Sequence, residues 1–392
     1  MAAILSFILD AVGIASFGLF ASQLKKGNED ANSMTYVEVV IGSGDPTMAG
    51  AMPNIAIWNE DGERLGQYKR SSRKVKEGQD EVISITHNEG AHRAEQATYI
   101  MLSNPDDDAV CISGIYITDT KVNTVFFGDV GKLCGMSWGI SNRDVGDEHT
   151  RPKCVWLDGD GTNGINAQAM SFHIPDVVAN PDRLQQYKER QDTLCKSTPR
   201  FSFWGNLSPQ SVIPFFEPPL EYETDSSNGG LGADKDLKRV LDKDGEFDKS
   251  VVLYEKGNTK HRRSGGSVLD IPPSTHVPKA TKKAKRSPRP ESLIVTPFPD
   301  HSARELCLSE TSWGSDTVSL TERLFCDMEA KILYPLCDDG IILTCFDLAT
   351  EKLIPAGNIT TIPRPGNATH WKSDIQSRKV PAPKVYSSTA YW

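Results

Sequence analysis

The sequence has no Cys-x-x-Cys pair, no excess of positive charge, and no glycine-rich loop that runs on into Lys-Ser or Lys-Thr. Each absence removes a class of function. Zinc sites bring their ligands in close pairs, so a structural metal is not expected, and nothing implies another cofactor. A whole-chain nucleic-acid binder needs a positive field to displace counterions from phosphate. The formal net charge of -9 runs the other way, so no nucleic-acid partner is expected. Gly42-Ser43-Gly44-Asp45 and Met48-Ala49-Gly50 are rich in glycine but lack the lysine and helix start of a phosphate loop. Hydrophobic residues make up only 38% of the chain, so part of it should not pack into a core.

What the sequence does have is an even number of cysteines, eight in 392 residues: Cys111, Cys134, Cys154, Cys195, Cys307, Cys326, Cys337 and Cys345. Disulfides are the expected state. Eight cysteines allow on the order of a hundred pairings, so connectivity is not fixed by counting. Pairing neighbours in sequence gives Cys111–Cys134, Cys154–Cys195, Cys307–Cys326 and Cys337–Cys345. Asn206, Asn358 and Asn367 each begin an Asn-x-Ser/Thr sequon. Sequons and cysteines together point to the secretory pathway and to a secreted or surface location.

Residues 1–22 are largely apolar, from Ala2 to Phe20, but Asp10 interrupts the run and no basic segment precedes it. A signal peptide is the first reading. A retained apolar helix and a spanning anchor are the alternatives, which leaves membrane contact through 1–22 open.

From Tyr36 the pattern becomes that of strands. Tyr36–Ile41, Asn54–Trp58, Glu81–Thr86, Ala97–Leu102, Val110–Thr118, Thr124–Phe127, Cys154–Leu157 and Ala169–Ile174 are short, rich in β-branched residues, and separated by Gly, Pro, Asn and Asp clusters. No helix is expected between them, so the predicted fold is mainly β, an antiparallel sandwich over 35–178. A helix over about 180–195 and a connecting segment follow, to 221. Residues 222–300 are rich in Asp, Lys, Gly, Ser and Pro. A stretch of that kind buries too little to offset its ordering entropy and reads as a disordered basic linker. A small cysteine-bearing lobe is expected over 301–372, and a polar, mobile tail over 373–392.

Several motifs suggest chemistry. Gly135-Met136-Ser137-Trp138-Gly139 matches the Gly-x-Ser-x-Gly elbow of serine hydrolases, with Asp158 or Asp160 and His173 as possible partners. That motif needs a strand before the serine and a helix after it, and the following Ile140–Gly146 reads as loop. Asp158-Gly159-Asp160-Gly161-Thr162-Asn163-Gly164 places oxygen donors at alternate positions, as calcium loops do. Ala169 stands where an EF-hand needs its last acid, and hairpin turns use the same residues, so a turn is the expected role. Arg262-Arg263 and Lys285-Arg286 are dibasic steps, and cleavage after Arg263 or Arg286 would fall in exposed chain.

The most distinctive local cluster is Gly128-Asp129-Val130-Gly131-Lys132-Leu133-Cys134-Gly135 with Trp138. Together with Gln96-Ala97-Thr98-Tyr99, Cys111-Ile112-Ser113, Cys154–Asp158, Leu306-Cys307 and Phe325–Met328, it resembles a group of filamentous-fungal (ascomycete) secreted proteins with no established activity. The resemblance implies a fungal origin and a two-lobe plan, and it transfers no catalytic residue. The first lobe also resembles PLAT/C2-like sandwiches at Tyr36–Ile41 and near Gly50. The glycines are expected to permit tight backbone and Trp138 to fill a core; the competing reading makes Trp138 or Phe126 an exposed binding surface. The sequence thus predicts a non-enzymatic secreted protein with a protein or glycan partner. A serine hydrolase using Ser137 and a membrane-active protein using 1–22 are the alternatives.

Overall fold

The computed structural model describes residues 33–70, 72–90, 94–118, 123–145, 149–161, 164–177, 185–187, 189, 192–207, 209–224, 231–235, 292–337, 344–356 and 384–392. The 1–22 segment, Arg263, Arg286, Asn358, Asn367 and most of the 222–300 linker lie outside the described residues. The chain divides into two compact units, Met1–Ser43 with Met48–Lys285 and Gly44–Thr47 with Arg286–Trp392. It is mainly β, with several antiparallel sheets.

Unit 1 holds β1 (Met34–Ile41), β2 (Gly50–Ala51), β3 (Asn54–Trp58), β4 (Arg64–Tyr68), β5 (Lys74–Val75), β6 (Asp80–Thr86), β7 (Tyr99–Ser103) and β8 (Val110–Thr118). It continues with β9 (Asn123–Phe127), α1 (Gly128–Leu133), β10 (Trp138–Gly139), β11 (Cys154–Leu157), β12 (Ala169–His173), α2 (Asp192–Cys195), β13 (Phe201–Trp204), β14 (Tyr222–Thr224) and β15 (Leu231–Asp234). One antiparallel sheet runs β10-β11-β8-β1-β6, with β9 also on β8. The other runs β13-β12-β7-β3-β4.

The strands form where alternation and β-branching coincide. In β6, Val82, Ser84 and Thr86 alternate with Glu81, Ile83 and Ile85, and it is the second set that is buried. One face of that strand therefore meets the core and the other is open to water. Strands β3, β7 and β12 are buried along their whole length, as the middle of a sheet covered on both sides should be. The two sheets meet through aromatic rings. Phe126 of β9 stacks on Phe172 of β12 at 4.8 Å and on Phe201 of β13 at 5.7 Å between centroids. At one edge the sheets come so close that a Cβ on Gly66 of β4 would lie 2.3 Å from the Thr86 carbonyl oxygen of β6.

All eight predicted strands of this lobe are present, and three have the predicted bounds. The expectation of no helix between strands is corrected, because Gly128–Leu133 forms α1 between β9 and β10. Its glycines are there for close approach. A Cβ on Gly128 would sit 2.2 Å from the Lys153 carbonyl oxygen, and one on Gly131 2.7 Å from a Val155 methyl. The exposed-surface reading of Trp138 and Phe126 is also corrected, since their exposures are 1% and 0%. Trp138 is a core residue with the Lys132 ammonium 4.4 Å from its ring.

Unit 2 contains β16 (Ser292–Thr296), α3 (Ala303–Leu308), β17 (Asp316–Ser319), β18 (Leu324–Asp327), β19 (Ile332–Pro335), β20 (Cys345–Asp347), β21 (Lys352–Ile354) and β22 (Ser388–Tyr391). Its main sheet runs β19-β18-β17-β16-β22. Phe325 stacks on Phe346 at 4.0 Å, at the centre of a core that includes Leu293, Val295, Val318 and Tyr334. Ser302 caps α3 by accepting the Glu305 amide.

Two boundaries change here. The expected linker to 300 ends earlier, because Ser292-Leu293-Ile294-Val295-Thr296 is a fully buried strand. Leu293-Ile294-Val295 between Ser292 and Thr296 is a short β-branched signal for a buried strand, and the polar composition around it conceals it. At the other limit of the linker, Tyr222–Thr224 pairs with Leu231–Asp234 as a hairpin. The expected mobile tail is likewise corrected over 384–392. There β22 pairs with β16 in parallel, as β17 does on the opposite side, so this sheet is mixed.

Four disulfides use every cysteine: Cys111–Cys154, Cys134–Cys195, Cys307–Cys326 and Cys337–Cys345. The last two follow sequence-neighbour pairing and the first two do not. Strands β8 and β11 are adjacent, with Trp156 opposite Cys111, and this brings Cys154 to Cys111. Cys134 ends α1 and faces Cys195 at the end of α2 instead. Replacing both Cys111 and Cys154 by alanine is expected to cost about 2–4 kcal/mol of stability, chiefly by freeing the unfolded chain. Urea unfolding checks the size of the loss, and peptide mapping without reductant checks the four pairs.

Candidate functional site

Among the described residues of unit 1, a group of interacting titratable side chains is built at the end of β12. His173 closes that strand, and a 3-10 turn over Ile174–Val177 follows at once. The turn carries Asp176 back over the ring, so that Nδ1 of His173 lies 2.9 Å from Asp176 Oδ2. Glu60, in the turn between β3 and β4, reaches the opposite edge of the ring, with Oε2 3.0 Å from Nε2. Both ring nitrogens thus face carboxylate oxygens and both donate, so the ring is held as imidazolium.

Three further segments converge on Asp176. Arg200, at the start of β13, donates from Nη1 to Asp176 Oδ1 at 2.8 Å. The Tyr222 hydroxyl donates to the same oxygen at 2.9 Å and lies 3.2 Å from His173 Nδ1. The Tyr187 hydroxyl donates to the Asp176 carbonyl at 3.0 Å. Tyr99 packs its ring 4.5 Å from the imidazole, and its hydroxyl accepts the Phe216 amide. The side chains of His173, Asp176 and Arg200 are fully buried, and Glu60 is about a third exposed. Two cations face two anions, so the group is neutral as a whole.

Burial alone pulls the His173 pKa down; the charges and hydrogen bonds of Asp176 and Glu60 outweigh it, and the net direction is upward. Burial also pushes the Tyr99 hydroxyl well above its ordinary value, with Glu60 adding to it. Chemically the arrangement holds a proton and clamps five chain segments. Its cationic members are sealed from solvent, and the polar partners of His173 are Asp176, Glu60 and Tyr222, none of them a nucleophile activated for attack.

The serine-hydrolase constellation does not assemble. Ser137 is 1% exposed. Its Oγ accepts from the Asn166 amide at 3.0 Å and bonds to Asn166 Oδ1 at 3.1 Å. The chain order is helix, turn, strand, the reverse of what the elbow requires, because β10 begins at Trp138. His173 is engaged with Asp176 and Glu60 instead. Ser137 is therefore a tie between two loops, and its proposed catalytic role is corrected on that ground.

Asp158 and Asp160 lie in the turn after β11. Asp158 is 1% exposed and Asp160 is exposed. Burial, then the charge of Asp160, and more weakly that of Asp107, push the Asp158 carboxyl up to about 7. Among the described residues no three His, Cys, Asp or Glu side chains converge as a metal-holding group. Asn206 sits half-buried in the turn after β13.

Unit 2 has a smaller polar group. Lys384 donates to Asp316 Oδ2 at 2.9 Å and to Asp327 Oδ1 at 2.7 Å, and the Tyr386 hydroxyl donates to Asp316 at 2.7 Å. Burial pulls the Lys384 pKa down, but the two aspartates raise it further, so the ammonium stays charged. This contact fixes the C-terminal segment beside its sheet. Of both groups, the sequence singled out only His173, as a possible partner of Ser137, and the fold pairs it with Asp176 and Glu60 instead. Glu60, Arg200 and Tyr222 carry no motif, and folding alone brings them together.

Replacing Asp176 by asparagine or alanine would strand the buried charges of His173 and Arg200, and is expected to cost about 3–5 kcal/mol, read from urea unfolding. The pH dependence has a definite sign. A raised folded pKa gives stability that is complete below the unfolded histidine value of about 6.5 and is lost as pH rises through the folded pKa. The difference in unfolding free energy between the native chain and His173→Gln should therefore be largest at acid pH and shrink above neutrality.

No family model matches the chain, and no curated relative matches it. Similar solved structures include crystal structures of a deletion form of LOX, a lipoxygenase. One matches at 16% identity and TM-score 0.20, over 24% of this chain and 14% of that chain. Another, with a further substitution, matches at 14% identity and TM-score 0.23, over 41% and 20%. The matches thus span a fifth or less of those proteins and carry no argument about fold or activity.

Proposed function

We propose that this chain is a secreted or surface, non-enzymatic protein of fungal type that interacts with a protein or a wall glycan. The observation that carries the reading is the pairing of all eight cysteines in four disulfides spread over both lobes. Such pairing belongs to an oxidising compartment. Among the described residues, no helix is long and apolar enough to cross a membrane. The sequons at Asn206, Asn358 and Asn367 agree with passage through the secretory route.

The absence of enzymatic activity is supported by what the reactive groups are already engaged in. Ser137 is tied to Asn166, and His173 lies between two carboxylates. Dibasic cleavage after Arg263 or Arg286 is part of the same proposal. Both steps precede β16, so a cut at either would leave the second lobe's sheet whole.

Intact mass and N-terminal sequencing of the native protein test this reading. The expected result is a start near residue 23, attached sugar, and a gain of eight hydrogens on reduction. A sugar-free, fully reduced chain that still begins at Met1 would overturn it. A fluorophosphonate probe should leave Ser137 unlabelled, and turnover of an ester abolished by Ser137→Ala would refute the non-enzymatic part.

A further inference from the structure

In unit 2 one amine is held against two buried carboxyls. Asp316 opens β17, and Asp327 closes its antiparallel neighbour β18. Lys384 comes from the C-terminal segment, just before β22. Its Nζ lies 2.9 Å from Asp316 Oδ2 and 2.7 Å from Asp327 Oδ1. Asp316 and Asp327 are 7% and 1% exposed at the side chain, and Lys384 27%. Glu329 is further off, with Oε2 at 3.9 Å, and is exposed. Tyr386 closes the group on another side and packs edge-on against Phe346.

The two aspartates are held differently. Each oxygen of Asp316 has a donor besides the lysine. The Met328 amide donates to Oδ1 at 2.8 Å and the Tyr386 hydroxyl to Oδ2 at 2.7 Å. Such donors stand where charge develops when a carboxyl carbon is attacked. Asp327 instead takes the Glu329 and Ala330 amides on the same Oδ1 that meets Lys384. Burial, and then the charge of Asp327, push the Asp316 carboxyl up against the pull of Lys384, toward the neutral form an amine can attack. Burial, and then Asp316, push the Tyr386 hydroxyl up as well, so it remains a donor.

We propose that Lys384 and Asp316 condense into an intramolecular amide, Nζ to Cγ, with Asp327 as the proton carrier. The charged pair is the arrangement before reaction. Asp327 takes a proton from the ammonium, and the freed electron pair of Nζ attacks Asp316 Cγ. Charge developing on Oδ1 meets the Met328 amide. The Cγ–Oδ2 bond then breaks, with the Tyr386 hydroxyl donating to the leaving oxygen. Nζ loses two protons in all, both end in the departing water, and Asp327 returns to its starting state. Nothing is oxidised or reduced. Fixed geometry makes the step accessible, since well-oriented groups react as if at about 10⁵–10⁸ M. Buried ions also shed their desolvation cost by becoming a neutral amide. The bond would close 316–384 as a covalent ring and brace the C-terminal strand. The assignment does not depend on the proposed function.

The test uses the full native chain, unfolded in urea, reduced and digested with trypsin. Residues 305–323 carry Asp316, and 380–392 carry Lys384. They should appear as one branched peptide, uncut after Lys384 and lighter than the two peptides together by one water. Lys384→Arg keeps the positive charge but has no amine to acylate, and should give 305–323 unbranched. Asp327→Asn should also leave it unbranched; a branch formed as fully as in the native chain would overturn the proton-carrier role. Unbranched 305–323 with cleavage after Lys384 in the native chain, as a plain ion pair would give, overturns the proposal. Joining of 380–392 to 324–331, which carries Asp327, overturns the choice of Asp316. The native chain decides these last two outcomes even if a variant does not fold.

Discussion

The first lobe depends on the charge arrangement around Asp176. One carboxylate accepts from His173, Arg200 and Tyr222, and Glu60 completes the imidazole from the other side. These residues come from the β3–β4 turn, the end of β12, the start of β13 and β14. Closing the group therefore fixes where all four arrive. Buried ions are a poor source of net stability, because their attraction must first offset desolvation. Their effect here is geometric. A sheet register slipped by one residue would turn His173 to the opposite face, away from both Asp176 and Glu60.

The second lobe solves a different problem. Its core is small, and a core of that size needs covalent or ionic staples. Cys307–Cys326 holds α3 to β18, and Cys337–Cys345 closes the segment leading to β20. Lys384 then fastens the C-terminal segment to Asp316 and Asp327 beside the sheet, and β22 adds a parallel strand next to β16. The last residues of the chain are thus structural parts of the lobe. Their polar composition reflects a strand at the edge of a sheet, where one side meets solvent.

The Gly-x-Ser-x-Gly match shows how a motif loses its meaning out of context. In this chain the two glycines flank a buried serine whose hydroxyl answers Asn166 across a loop. The reactive group of a hydrolase must be exposed, with a base in reach, and neither condition holds. Asp158 presents the converse case. Asp-Gly-Asp-Gly reads as an ordinary turn, and the turn is there, yet only the fold shows that the first aspartate is buried, which pushes its carboxyl up to about 7 with the charge of Asp160 adding to it.

The sequence by itself determined the mainly β character, the eight principal strands of the first lobe, the even cysteine count and the local disulfides of the second lobe. These follow from alternation, β-branching and short contour length, which act over a few residues. Tertiary structure decided the rest. It paired Cys111 with Cys154, because β8 and β11 are neighbours in a sheet although 43 residues separate the two cysteines. It gathered Glu60, His173, Arg200 and Tyr222 around one carboxylate, and it made a core strand of Ser292–Thr296 within a polar stretch. Contacts between distant segments depend on which strands lie side by side. No local pattern carries that information, because it arises only when the whole apolar surface is buried at once.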